Sequence, residues 1–160
     1  MPLWRIFYPD TAFTDKAEKK ALSDAITAIY TKIPLPAFYV VVTFVPVPVE
    51  NIFVGGVNQP GPDKSTFIRI VISNIARRMP EGDTTRKNEF MDRVEKALKP
   101  FIADKGWDWE VHAEETDRDL WRINGIIPPQ PNTEDEKRWV SENKVSDYPG
   151  GYTATRRAEL

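Results

Sequence analysis

Apolar residues cluster in four short segments whose pattern is typical of β-strands. The first, Leu3 to Tyr8, begins almost at the N-terminus. The second, Phe38 to Val45, is apolar or threonine at every position, which predicts a strand that is covered on both faces and parallel to the first. The third and fourth predicted strands are Thr66 to Ser73 and Trp107 to His112.

Helical spacing separates the members of each pair of strands. Apolar residues recur along one predicted helix face between the first two strands, with Thr14 as the expected N-cap. A second helical pattern runs from Phe90 to Ile102, is preceded by the cap candidates Asp83, Thr84 and Thr85, and should be interrupted at Pro100. The order β-α-β therefore occurs twice.

Two right-handed β-α-β units side by side predict an α/β fold with two helices on one face of a four-stranded sheet. The other sheet face is left bare, and strands that are apolar on both faces need a cover, so we expect a homo-oligomer. Residues 1–131 are predicted to form this domain. Residues 132–160 are predicted to add a short helix with a Thr133 to Glu136 capping box, and a mobile tail from Ser146.

Composition excludes several classes of function. There are 22 Lys and Arg against 24 Asp and Glu. The net charge of −2 therefore gives no excess of positive charge that would bind nucleic acid or an anionic membrane. The chain has no cysteine and a single histidine, which excludes disulfides, thiolate sites and multi-histidine metal sites within one chain. No signal peptide or membrane span is recognisable, so a cytoplasmic location is expected.

Pro2 is the residue with the most specific chemical meaning. If the initiator methionine is removed, its nitrogen becomes a free secondary amine instead of an amide without basicity. A free α-amine titrates near ~8, and burial beside a cation favours its neutral form. The sequence therefore offers a general base at the start of the first core strand.

Four features together resemble the tautomerase superfamily and, within it, the cis-3-chloroacrylic acid dehalogenase family. They are Pro2 at the start of a strand, the two β-α-β units, the segment NIFVGGVNQ at Asn51 to Gln59, and Gly125 followed by PPQP. The resemblance covers roughly Pro2 to Pro131. It implies a homotrimer that needs no metal or cofactor and acts on a small carboxylate substrate.

The resemblance also assigns site residues. Pro2 matches the catalytic N-terminal proline, and Arg77 matches the second of two arginines that hold the substrate carboxylate, while Asn74 stands where the first would be. Tyr30 matches a helix histidine of the dehalogenase members. His112 matches a tyrosine in their last core strand, so both exchanges keep a ring that can form hydrogen bonds.

One expected group is missing. The glutamate that activates water in the dehalogenase members falls on Ile123, an apolar residue that cannot deprotonate water. Glu114, Glu115, Asp117 and Asp119 lie nearby as alternatives, although an acidic loop of this kind more often simply faces solvent. The leading hypothesis is therefore proton transfer on a small 2-oxo acid or its enol. A hydratase or dehalogenase of 3-substituted acrylates, and a trimeric binding protein without catalysis, remain the alternatives.

Overall fold

The chain alternates strands and helices in the order that the sequence predicts. The computed structural model describes residues 1–60 and 65–152. In chain order its elements are β1 (Leu3–Pro9), α1 (Lys16–Thr31), β2 (Val41–Val47), β3 (Phe53–Val54), β4 (Val57–Asn58), β5 (Phe67–Asn74), α2 (Thr84–Leu98), β6 (Asp108–Glu115) and α3 (Glu134–Glu142). Strands β3 and β4 form a small separate hairpin.

The main sheet has four strands in the order β2-β1-β5-β6. Strand β1 is parallel to β2, and β5 is parallel to β6, which confirms the two predicted β-α-β units. The central strands β1 and β5 are antiparallel, with Leu3 opposite Ser73. The N-terminal end of β1 consequently lies beside the C-terminal end of β5.

One face of the sheet and the inner faces of α1 and α2 enclose the core. Alternate sheet residues on this face are fully buried, as are the apolar residues of the helices; they include Trp4, Ile6, Ile68, Ile70, Ile72, Leu22, Ile26, Val94 and Leu98. On the other face, Leu3 and Phe7 of β1 are only half-buried. The predicted arrangement of two helices on one face of a four-stranded sheet is confirmed.

Several local details differ from the sequence prediction. Asp15, and not Thr14, is the N-cap of α1, because its carboxylate accepts the Ala17 N–H at 2.8 Å. Strand β2 begins at Val41, since Ala37–Tyr39 forms a 3-10 turn that buries Tyr39. Strand β2 is also an edge strand whose side chains are half-buried or exposed. Within a single chain, β2 is therefore not covered on both faces as the sequence predicts.

The predicted C-terminal helix is α3, with Thr133 as its N-cap. Trp139 of α3 is fully buried and packs against Tyr39, with ring centroids 6.2 Å apart. The segment 146–152, where the sequence predicts a mobile tail to begin, folds back: the Tyr148 hydroxyl donates to the Ile127 carbonyl at 2.7 Å. Residues 153–160 of that tail, and residues 61–64 of the predicted loop before β5, lie outside the described residues.

No helix within residues 1–60 or 65–152 combines the length and the apolar character needed to cross a membrane.

Candidate active site

A cavity of about 450 Å³ opens at the N-terminal end of β1. It lies between the end of α1, the segment that follows β5 and the first turns of α2. Four of the five site residues predicted from the sequence line it: Pro2, Tyr30, Asn74 and Arg77. They are distant in the sequence, and the tertiary structure brings them together.

The β-α-β connection and the antiparallel central strands explain this convergence. Helix α1 returns the chain to the end of the sheet where β1 starts, which carries Tyr30 back towards Pro2. Strand β5 runs in the opposite direction and ends at Asn74, next to the start of β1. Arg77 follows three residues later, so it lies at the same end of the sheet.

Tyr30 and Asn74 belong to one buried chain of hydrogen bonds. The fully buried Trp4 donates its indole N–H to the Tyr30 hydroxyl at 3.0 Å, and that hydroxyl donates to Asn74 Oδ1 at 3.1 Å. Burial raises the pKa of Tyr30, so its hydroxyl keeps its proton at neutral pH. No hydrogen bond among the described residues uses the Asn74 amide nitrogen, which leaves two donors at the cavity.

Arg77 is held by a carboxylate from the C-terminal helix. Its Nη1 and Nη2 donate to Oε1 and Oε2 of Glu136 at 2.9 and 2.8 Å, and Nη1 also donates to the Ala76 carbonyl at 3.2 Å. The side chain of Glu136 is 2% exposed and that of Arg77 is 27% exposed. Glu136 was expected only as part of a capping box, and no local sequence pattern indicates that its carboxylate binds Arg77.

The chain terminus is enclosed next to another arginine. Pro2 is buried, and burial together with the positive charge of Arg118 lowers the pKa of the Met1 amine to about 4. Arg118 is fixed through hydrogen bonds to the carbonyls of Ala76, Pro128 and Pro129. The Met1 amine is therefore held in its neutral, basic form at pH 7.

Most of the other charged residues on the cavity wall are basic. Arg78, Arg86 and Arg93 also line it, and Arg86 pairs with Asp83 at 3.3 Å. Glu89 is the single acidic residue among the described residues that line the cavity. The sequence positions of these arginines do not mark them as site residues, because charged residues on a helix such as α2, which carries Arg86 and Arg93, or in a loop, which carries Arg78, ordinarily face solvent.

His112, the fifth predicted site residue, does not line this cavity. In β6 it lies opposite Val71 of β5, and its Nε2 is 3.6 Å from Glu114 Oε1. It borders a second cavity of about 320 Å³, which shares Asn74, Met79 and Phe90 with the first. The single chain therefore brings together four of the five residues, with His112 in the neighbouring cavity.

Ile123 and the acidic residues near it are also outside the cavity wall. Ile123 pairs with the buried Ile126 across a tight turn, in which Asn124 and Gly125 adopt positive φ angles of 51° and 76°. Glu115 accepts the Met79 N–H at 2.8 Å and borders the second cavity. None of the four acidic candidates, Glu114, Glu115, Asp117 and Asp119, lines the first cavity.

Comparison with known protein families gives a match over most of the chain. A family model described as "Putative oxalocrotonate tautomerase enzyme" matches residues 1–144, nine-tenths of the chain. No curated protein matches the chain.

Solved structures with the same fold include two at high sequence identity. RhCC from Rhodococcus jostii RHA1 is 42% identical, with a TM-score of 0.84 over 91% of this chain and 99% of that chain. A probable enzyme from the thermophilic fungus Aspergillus fumigatus is 37% identical, with a TM-score of 0.82 over 92% and 98% of the two chains. The native fused 4-OT is 22% identical with a TM-score of 0.59, covering 77% of this chain and 93% of its own, and shares the fold.

Proposed function

This chain belongs to the tautomerase superfamily, and from that premise we propose that it catalyses cofactor-independent proton transfer on a small 2-oxo acid or its enol. The observation that carries the proposal is the convergence of Pro2, Tyr30, Asn74 and Arg77 on one cavity. A base, a neutral hydroxyl and a cationic donor are the three groups that a keto-enol interconversion requires.

The proposed reaction begins at the carbon next to the keto group. After removal of Met1, the Pro2 nitrogen takes a proton from this carbon, and the electron pair of the C–H bond moves to form the enolate. The protonated Pro2 then gives this proton to the enolate oxygen, which yields the enol and returns Pro2 to the neutral amine. Arg77, assisted by the Asn74 amide, binds the substrate carboxylate. The hydrogen bond to the keto oxygen comes from Tyr30, whose single hydroxyl proton turns from Asn74 Oδ1 to the substrate, or from His112, which borders the neighbouring cavity that shares Asn74 with this one.

Charge at the cavity supports a carboxylate substrate. Arg78 and Arg93 line it, and no ion pair of either arginine is present among the described residues. Positive potential concentrated in a cleft raises the local concentration of small anions and strengthens their binding. A monocarboxylate with a neighbouring keto group fits this environment better than a neutral substrate does.

Hydrolytic dehalogenation of 3-substituted acrylates, the reaction of the cis-3-chloroacrylic acid dehalogenase family, is the second candidate. It would need a carboxylate that positions and deprotonates water, and Ile123 supplies none. Glu89 is the acidic residue at the cavity that a water-activating role would have to use. We therefore propose tautomerisation as the main activity and expect chloride release from cis-3-chloroacrylate to be slow.

An assay of the two reactions on the same sample tests the proposed function. Purified protein whose intact mass shows loss of Met1 should catalyse the ketonisation of phenylenolpyruvate, measured by ultraviolet absorbance. Chloride release should be slower by on the order of 10²-fold or more, because a positioned general base for water is missing. Efficient dehalogenation would favour the second candidate, whereas an inert protein without Met1 would favour the binding-protein alternative.

We also propose that the chain forms a homotrimer through the sheet face opposite the helices. Leu3, Phe7 and Val45 lie half-buried on this face of a single chain, next to the buried Val71. Apolar strand surface of this kind is normally covered in the assembled protein. Light scattering should give three times the 18.3 kDa chain mass, and a stable monomer at micromolar concentration would contradict the proposal.

A further inference from the structure

Glu136 is a buried carboxylate whose partners belong to the cavity wall. Only 1% of the residue is exposed, and beyond the two Arg77 bonds its Oε2 accepts the Asn132 N–H at 2.7 Å. Both Arg77 and Asn132 line the cavity. A buried charge is tolerated when it is paired and hydrogen-bonded, so these contacts explain how the Glu136 carboxylate can be buried. They do not explain what a carboxylate at this position contributes to the site.

The way in which Arg77 is paired leaves part of its guanidinium available. Of five N–H groups, two bind Glu136 and one binds the Ala76 carbonyl. No described residue accepts from Nε or from the second hydrogen of Nη2. These two N–H groups lie along one edge of the planar guanidinium, and such an edge binds a carboxylate through two parallel hydrogen bonds.

The helix that carries Glu136 is firmly attached to the core. Its Trp139 is fully buried and donates its indole N–H to the Ser146 carbonyl at 2.8 Å. At the end of α3, the Asn143 side chain accepts the Phe38 N–H at 2.9 Å. The Thr133 hydroxyl accepts the backbone N–H of Glu136 at 3.3 Å, which fixes the first turn of the helix.

We propose that Glu136 is a positioning residue that fixes the guanidinium of Arg77 so that its Nε–Nη2 edge binds the substrate carboxylate. This inference rests on the proposed function, because it specifies how that site holds its substrate. It assigns a role in the site to the C-terminal helix, beyond the two β-α-β units. The opposing interpretation is that Glu136 occupies the carboxylate site itself and competes with the substrate.

The two interpretations predict opposite effects of Glu136→Gln. This change removes the charge and keeps the shape, so a loosely held Arg77 should raise KM for phenylpyruvate about 10- to 100-fold, with kcat changed less than about threefold. Glu136→Asp keeps the charge on a shorter side chain and should recover part of the loss. Glu134→Gln on the same helix is the matched control, since that side chain is 87% exposed and should leave KM unchanged.

A neutral substrate shows whether Glu136→Gln acts through the position of Arg77 or through a general change in the structure. The methyl ester of phenylpyruvate cannot use the carboxylate contact, so its kinetics should be the same in the wild type and in Glu136→Gln. An equal loss for the acid and the ester would overturn the proposal, as would a lower KM for the acid, which is the result expected for competition.

A binding measurement distinguishes failure of this inference from failure of the proposed function. Calorimetry with the unreactive 3-phenylpropionate should show binding that weakens about 10- to 100-fold in Glu136→Gln. If the wild type binds this acid, Glu136→Gln binds it more weakly, and neither protein tautomerises phenylpyruvate, the proposed function fails and the role of Glu136 stands. Unchanged or tighter binding by Glu136→Gln, with thermal melting showing that it is folded, would overturn the role of Glu136.

Discussion

Pro2→Ala should reduce kcat/KM for phenylpyruvate tautomerisation by on the order of 10²-fold or more, towards the range typical of a lost general base. The variant keeps an amine at the chain terminus but loses the ring that fixes the nitrogen and makes it a secondary amine. Because Pro2 is buried beside the end of β5, a primary amine there is expected to be less well oriented. Steady-state kinetics with thermal melting as a check on folding would measure the effect.

The same chain with and without Met1 is the sharpest control for this prediction. When Met1 is retained, the Pro2 nitrogen is an amide with no basicity, so that fraction should be inactive. Mass spectrometry gives the proportion of each form, and activity should follow the fraction that lacks Met1. Equal activity of the two forms, or an unchanged rate for Pro2→Ala, would remove Pro2 from the mechanism.

The acid limb of the pH profile reports on the same amine. Burial and Arg118 lower the pKa of the Met1 amine to about 4, and we expect both causes to act on Pro2 once Met1 is absent. A lowered pKa means that the neutral base persists to lower pH, so kcat/KM should fall only well below the ordinary value near ~8. Arg118→Gln removes the cation and should move this limb to higher pH.

Arg77→Ala should have the second largest effect, because it removes a substrate contact and leaves Glu136 buried without its counterion. Breaking such a pair on one side costs on the order of 3 kcal/mol of unfolding free energy. We also expect kcat/KM for phenylpyruvate to fall by on the order of 10²-fold, since a charge-assisted, two-point contact with the carboxylate is lost. Chemical denaturation and steady-state kinetics measure the two effects separately.

Three further variants separate stability from binding. Arg77→Lys keeps the charge but not the paired donors. Its kcat/KM should therefore fall, while most of the unfolding free energy is kept. Combining Arg77→Met with Glu136→Gln removes both charges of the pair and should restore stability without restoring activity. Lys20→Ala breaks an exposed pair with Asp24 and should change stability by less than about 1 kcal/mol. Recovery of activity in the double variant would contradict a direct role for Arg77.

Four of the five site residues could be predicted only because the family resemblance supplied their positions. Pro2 alone had an independent chemical argument, from its place at the start of a strand. Glu136 could not be found in this way, because its sequence context predicts a helix cap, and its Thr133 neighbour does cap α3. The pairing of its carboxylate with Arg77 spans 59 residues and has no local signal.

The sequence by itself determined the elements of the fold, since strand alternation, helical spacing and caps are short-range patterns set by backbone geometry. Tertiary structure alone decided which distant polar groups meet. The antiparallel pairing of β1 with β5 brings Pro2 to Asn74, and the packing of Trp139 against Tyr39 carries Glu136 to Arg77. These contacts depend on how complete elements bury their apolar faces against one another, and no local stretch of sequence encodes that choice.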